Sequence, residues 1–123
     1  MAKFSTMYNY INRYISENCT QSFKEDNFFK LKAFLFMNVG NERNADAEIY
    51  AWGEELFKTN EEFKALTIGC LGNMKRVYGN NENCNFDETY KALTHNKKAN
   101  LDVDFANLDS KYKIKSKEAD LVM

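Results

Sequence analysis

Few residues in this sequence are suited to nucleophilic or acid–base chemistry. Its single histidine, His95, precedes a pair of lysines at the end of a predicted helix. A general base needs a positioned partner and a pocket, and the neighbouring residues indicate neither. Because positive charge is favourable at the C-terminus of a helix, we interpret His95 as a residue that stabilises a helix end.

Three cysteines, Cys19, Cys70 and Cys84, are the candidate nucleophiles and metal ligands. Cys70 belongs to an apolar stripe and is expected to be buried, whereas Cys84 lies in a polar loop and is expected to be exposed and reactive. A Cys84–His95 pair would make a thiol enzyme, but its spacing fits no known motif. Zinc sites use about four ligands, which these scattered residues do not supply. An odd number of cysteines without a C-x-x-C pair is typical of reduced thiols in the cytoplasm.

Two pairs of adjacent glutamates, Glu54–Glu55 and Glu61–Glu62, are the remaining candidates for acid–base chemistry. Neighbouring residues on a helix point about 100° apart, so neither pair is convergent. The second pair lies in a first helical turn, where negative charge is favourable in any case. The chain also lacks phosphate-binding, dinucleotide-binding and nucleophile-elbow motifs. We therefore predict no enzymatic activity, no metal and no cofactor.

The distribution of charge is more informative. The 17 basic and 18 acidic residues nearly cancel, which disfavours bulk electrostatic binding to nucleic acid. Residues 42–62, however, contain seven acidic and two basic residues, a net charge of −5. Such a segment predicts a surface that attracts a basic partner, although a solvated helix face has the same composition. The predicted partner-binding residues are Glu48, Trp52, Glu54, Glu55, Glu61 and Glu62.

Basic residues support an alternative hypothesis, a nucleic-acid-binding module. Residues 63–98 contain six basic and three acidic residues, a net charge of +3. The run Lys111–Lys117 interleaves lysines with a tyrosine and could contact phosphates with one stacked base. An edge strand protected by lysines has the same pattern. The residues assigned to this alternative are Lys75, Arg76, Lys97, Lys98, Lys111, Lys113 and Lys115.

Aromatic residues make up 15% of the 123 residues. We expect more rings than the core requires, with several at an interface where they would concentrate binding energy. The leading hypothesis is therefore a small protein that binds and inhibits another protein, or forms a homodimer. The many Asn, Lys and Ile residues are typical of low-GC genomes. By association they suggest a phage or mobile-element factor that blocks a host enzyme or defence system.

The elements that must position these residues are mainly helical. Apolar spacing predicts a compact bundle of about five helices. They cover approximately residues 5–18, 22–39, 44–58, 59–78 and 85–95. Residues 28–39 also alternate as a strand would, but their length favours a helix that is apolar on most sides and therefore central. Thr59 is the predicted N-cap of the fourth helix, and Gly69 and Gly72 within it either permit a close approach or mark a break.

The C-terminal region changes character. Residues 101–105 and 111–115 alternate at period two, which predicts a small β-hairpin over 101–115, with a helix as the alternative. We expect residues 1–116 to form one globular domain and residues 117–123 a flexible tail. No signal sequence and no run of roughly 20 apolar residues is present. We therefore expect a soluble, cytoplasmic protein without membrane contact.

Overall fold

The computed structural model describes residues 4–19 and 21–113, and this part of the chain is mainly helical. It contains six α-helices, one more than expected, and a short 3-10 turn. The helices are α1 (Phe4–Asn18), α2 (Gln21–Val39), α3 (Ala47–Thr59), α4 (Glu61–Tyr78), α5 (Phe86–Thr94) and α6 (Leu101–Ala106), and the 3-10 turn is Ser110–Tyr112. The proposed domain boundary at residue 116 and the proposed tail 117–123 lie outside the described residues.

Residues 28–39, whose pattern suits a strand as well as a helix, are helical and belong to α2. Leu31, Phe34, Leu35 and Asn38 are all fully buried, because α2 packs against α1, α3 and α5. A helix covered on several sides needs apolar residues around most of its circumference. The prediction of a helix over residues 28–39 is therefore confirmed, although Phe29 on this helix is 69% exposed.

Asparagine and aspartate side chains begin the last four helices. The Oδ1 atoms of Asp46, Asn60, Asn85 and Asn100 each accept a hydrogen bond from the backbone N–H three residues later. Thr59 was the predicted cap of α4, and this prediction is wrong. Its hydroxyl instead donates to a carbonyl in the last turn of α3, and asparagine, an equally good or better N-cap, takes the next position.

The predicted hairpin over residues 101–115 is not formed. Leu101–Ala106 is α6, Ser110–Tyr112 is the 3-10 turn, and the described part of the chain contains no strand. The helical alternative places Leu101 and Phe105 on one face, and both are buried. Two strands alone are marginal in water, whereas these two side chains gain a place in the helical core.

Helix α4 lies at the centre of the core, in contact with α1, α3, α5, α6 and the 3-10 turn. Gly69 and Gly72 let two side chains approach it closely. A Cβ atom at Gly69 would lie only 2.1 Å from the Tyr14 hydroxyl oxygen, and one at Gly72 only 2.2 Å from the Phe105 ring. These glycines therefore permit close packing within a continuous helix and do not break it.

The aromatic residues are mostly interior. Of the 16 aromatic side chains that the structure describes, only Phe29 is exposed, at 69%. Tyr14, Phe34, Phe63 and Tyr90 are among those that are fully buried. Six further rings, Trp52 among them, are half-buried, so the expectation that several rings lie at an interface stays an untested prediction, as does the homodimer that it suggested. No helix within residues 4–19 and 21–113 has the length and apolar character needed to cross a bilayer.

Candidate protein-binding surface

The predicted acidic residues lie on α3 and on the first turn of α4. Glu48 and Glu55 are exposed, and Trp52 lies between them at helical spacing. Residues four and three positions apart share a helix face, so the two carboxylates flank the indole. We call Glu48, Trp52, Glu55, Glu61 and Glu62 the acidic surface.

Trp52 is half-buried and held by two neighbours. Its indole packs edge-on against Phe63 of α4, with ring centroids 5.5 Å apart at 88°. The ammonium of Lys30, on α2, lies 5.6 Å from the centroid of the indole, at a distance typical of a cation–π contact. The indole is thus fixed in place while part of its surface remains accessible, as expected of an anchoring aromatic residue at an interface.

The other two carboxylates of the acidic surface begin α4. The Asn60 side chain caps this helix by accepting the N–H of Phe63, so Glu61 and Glu62 occupy its first turn. Glu61 is exposed and Glu62 is half-buried. Within residues 4–19 and 21–113, none of the four glutamates of the acidic surface forms an ion pair. None of these carboxylates is thus held in a direct ion pair with another described residue.

Glu54, which was predicted to belong to the same surface, has a different environment. Its Oε2 lies 2.5 Å from the Nε2 of His95, and its side chain is 23% exposed. His95 is the C-cap of α5, with a left-handed φ of 55°, which agrees with its interpretation as a residue at a helix end. The contact with Glu54 fastens α3 to that end of α5 and was not foreseen, because nothing local links positions 54 and 95.

The basic residues of the alternative hypothesis are dispersed and partly neutralised. The Lys75 ammonium is 2.9 Å from the Asp87 carboxylate and 2.8 Å from that of Asp102. These hydrogen bonds raise the pKa of Lys75, and the hydrogen bond with Asp102 has the larger effect. Lys97 and Lys98 are exposed on the loop after α5. They line a polar groove of about 470 Å³ that also contains three acidic side chains, Asp87, Glu88 and Asp102.

A second group of cations surrounds the C-terminal helices. Arg76 and Lys113 lie 5.9 and 5.8 Å from the Phe105 ring, and Lys111 lies 4.9 Å from the Tyr112 ring. These contacts cover aromatic side chains that are already buried, so the rings are not available for stacking with a base. Lys115 lies outside the described residues.

Neither Cys70 nor Cys84 has an activated thiol. Cys84, predicted to be exposed, is only 6% exposed, and burial raises its pKa. The Asn81 side chain accepts the N–H groups of Asn83 and Cys84, which turns the loop so that the thiol lies 3.7 Å from the Thr89 hydroxyl. The prediction of an exposed Cys84 is therefore wrong. Cys70 is fully buried as predicted, and burial raises its pKa as well, whereas reactive cysteines have lowered pKa values.

The described residues contain no group of three or more His, Cys, Asp or Glu side chains positioned to hold a metal ion. Comparison with known proteins does not assign the chain to a family: no family model, no curated protein and no solved structure matches it.

Proposed function

We propose that this protein binds another protein through its acidic surface and acts without catalysis, as an inhibitor or adaptor of that partner. One observation carries the proposal. Four glutamates on α3 and the first turn of α4, which form no ion pair with any other described residue, accompany a half-buried tryptophan. The complementary partner presents a basic surface, such as the nucleic-acid-binding groove of another protein.

The two kinds of residue have different roles in this proposal. Exposed carboxylates attract a basic partner and accelerate its association, and salt weakens their effect. Trp52 supplies an apolar anchor, because a tryptophan already held on both sides loses little conformational freedom on binding. Glu54 lies outside the contact in this proposal, since its carboxylate is engaged by His95.

We further propose that the protein comes from a phage or mobile element. A phage or mobile-element protein that blocks a host enzyme or defence complex would need such a surface and no active site. Composition alone supports this origin, through the 16 asparagines of the chain and its many lysines. Identification of the captured partner tests it directly.

The test is affinity capture from host extract with matched charge variants. The triple variant Glu48→Gln, Glu55→Gln, Glu61→Gln removes three exposed charges of the acidic surface. Its control, Glu82→Gln, Glu88→Gln, Asp109→Asn, removes three exposed charges elsewhere. We expect a stoichiometric partner with a basic surface that the control retains and that the triple variant and Trp52→Ala lose. Equal capture by both triple variants, or no stoichiometric partner, would overturn the proposal.

Nucleic-acid binding is the second candidate, supported by the grouping of Arg76, Lys111 and Lys113 near α6 and the 3-10 turn. Lys75 contributes less than the sequence indicated, because it is engaged by two aspartates. This candidate predicts oligonucleotide binding that weakens steeply as salt is raised. Weak binding that is independent of salt, to single- and double-stranded probes alike, would exclude it.

A further inference from the structure

A groove separate from the acidic surface lies between α3, α4, α5 and α6. Its volume is about 640 Å³, within the range of roughly 300–1,000 Å³ typical of small-molecule sites. Its apolar lining comes from Phe57, Tyr90, Leu93 and Val103. Val103 is 53% exposed, one of two large hydrophobic side chains in the described chain with such exposure. The groove thus offers an apolar contact that the fold itself does not cover.

The charged lining of this groove is mostly basic. Lys58, Lys64 and Lys98 line it, and Asp104 is the one acidic residue among its lining side chains. None of the three lysines forms an ion pair with another residue of the described ranges. The ammonium of Lys64 lies 5.9 Å from the Phe57 ring centroid, so positive charge lies directly beside the apolar lining.

Asp104 does not cancel this positive character. Its carboxylate accepts a hydrogen bond of 2.5 Å from the Tyr90 hydroxyl, so one oxygen is held against the lining. Three lysines against one aspartate leave a net charge of +2 around the groove. An apolar surface bordered by unpaired cations complements a ligand with an apolar body and one negative charge.

We propose that this groove binds a small anion with an aromatic or short aliphatic body, such as an aromatic carboxylate or sulfonate. The body of the ligand covers Val103, the one strongly exposed apolar side chain that lines the groove. Its charged group lies among Lys58, Lys64 and Lys98. This is a ligand-binding activity independent of the acidic surface, since neither Trp52 nor any glutamate of that surface lines the groove.

A matched pair of fluorescent probes tests the proposal. 1-Anilinonaphthalene-8-sulfonate has the required anionic group, and N-phenyl-1-naphthylamine has the same rings without it. We expect the sulfonate to bind at one site and more tightly than the neutral probe. The triple variant Lys58→Gln, Lys64→Gln, Lys98→Gln should weaken sulfonate binding roughly tenfold, the size expected for lost charge-assisted contacts, and leave binding of the neutral probe unchanged.

Two single variants locate the site. Val103→Ser should weaken binding of both probes, whereas Phe29→Ser, which removes the other strongly exposed hydrophobic side chain, should not. Lys97→Gln is the control for charge, because Lys97 is exposed but does not line this groove. All substituted side chains are exposed, so we expect each variant to retain the fold, and circular dichroism checks this.

Three outcomes would overturn the proposal. They are unchanged sulfonate affinity in the triple lysine variant, equal loss of affinity in Phe29→Ser and Val103→Ser, and binding of an acidic peptide but of neither probe. Amide chemical-shift changes provide an independent check. Changes centred on α5 and α6 support the groove, and changes centred on α2 contradict it.

Discussion

The imidazole Nε2 of His95 lies 2.5 Å from the carboxylate Oε2 of Glu54, although the two residues are 41 positions apart. The contact joins the middle of α3 to the C-terminal end of α5. It involves the single histidine of the sequence and one of the six residues that the sequence predicted to bind a partner protein. The His95 side chain is 64% exposed, so solvent screens the pair.

We therefore expect the His95–Glu54 pair to stabilise the fold only modestly. A double-mutant cycle with Glu54→Gln and His95→Ala should give a coupling free energy of about 0.2–1 kcal/mol, as for other exposed ion pairs. The measurement is urea denaturation at low ionic strength near pH 6, and high salt should reduce the coupling. A coupling above about 2 kcal/mol would show that the pair is more strongly desolvated than its exposure indicates.

Gly69 and Gly72 should not tolerate a side chain. Gly69→Ala and Gly72→Ala are each expected to destabilise the protein by about 1–3 kcal/mol through overpacking, because the new Cβ would clash with Tyr14 or Phe105. Thermal and urea denaturation measure the effect. Phe105→Leu should partly rescue Gly72→Ala but not Gly69→Ala, and identical effects of Phe105→Leu on both variants would contradict the assigned contacts.

We expect the contribution of Asp87 to the stability of the protein to decrease at low pH. The hydrogen bond from Asn80 and the Lys75 ammonium lower the pKa of this carboxyl below its ordinary value. Its contribution is therefore fully present above the ordinary aspartate pKa of about 3.9 and is lost as pH falls through the lower folded-state value. We expect Asp87→Asn to be less stable than the parent protein at pH 7 and to approach it at pH values of about 2.

The control for this prediction is Glu82→Gln, which changes an exposed carboxylate on the neighbouring loop. This variant should be as stable as the parent protein at both pH values. If Asp87→Asn and Glu82→Gln have the same pH profile, the hydrogen bonds of Asp87 do not contribute to stability.

Removal of the hydroxyl should lower the stability of the protein at Tyr90 but not at Tyr78. The Tyr78 hydroxyl is buried and has no hydrogen-bond partner in the part of the chain that the structure describes, whereas the Tyr90 hydroxyl donates to Asp104. An unpaired buried hydroxyl is unfavourable. We expect Tyr78→Phe to leave stability unchanged or raise it by about 1 kcal/mol, and Tyr90→Phe to lower it by about 1–2 kcal/mol.

Alkaline denaturation checks the same assignment. Burial raises the pKa of Tyr78 to about 12. The neutral hydroxyl therefore contributes its full stabilisation below the ordinary tyrosine pKa of about 10. This stabilisation is lost as the pH rises toward 12. Tyr78→Phe should therefore lose less stability than the parent protein over this range. A steeper loss would contradict the burial of the hydroxyl.

Local patterns in the sequence predicted much of the fold. The apolar stripe of α1, the end of α4 before Gly79 and the cap at Asn85 depend on residues within a few positions of one another. The hairpin prediction was wrong because two short alternating segments also fit a helix, and the cap at Asn100 favours the helix. The local sequence alone does not distinguish the hairpin from the helix, because the deciding interaction is the packing of Phe105 against α4.

The site residues were harder to predict because their environments depend on long-range contacts. The engagement of Lys75 by Asp102 and of Glu54 by His95 links residues 27 and 41 positions apart. The burial of Cys84 results from an asparagine-stabilised loop that appears in the sequence only as a polar stretch. The lysine-bordered groove was missed entirely, because its lining comes from four helices.

The most direct test of the proposed function is photo-crosslinking in the host cell at chosen surface positions. p-Benzoylphenylalanine replaces Glu55 on the acidic surface or, as a control, Asp109, which is exposed just before the 3-10 turn. We predict one discrete adduct with a basic partner protein from position 55 and none from position 109. No adduct from position 55, or the same adducts from both positions, would contradict a specific protein-binding role for the acidic surface.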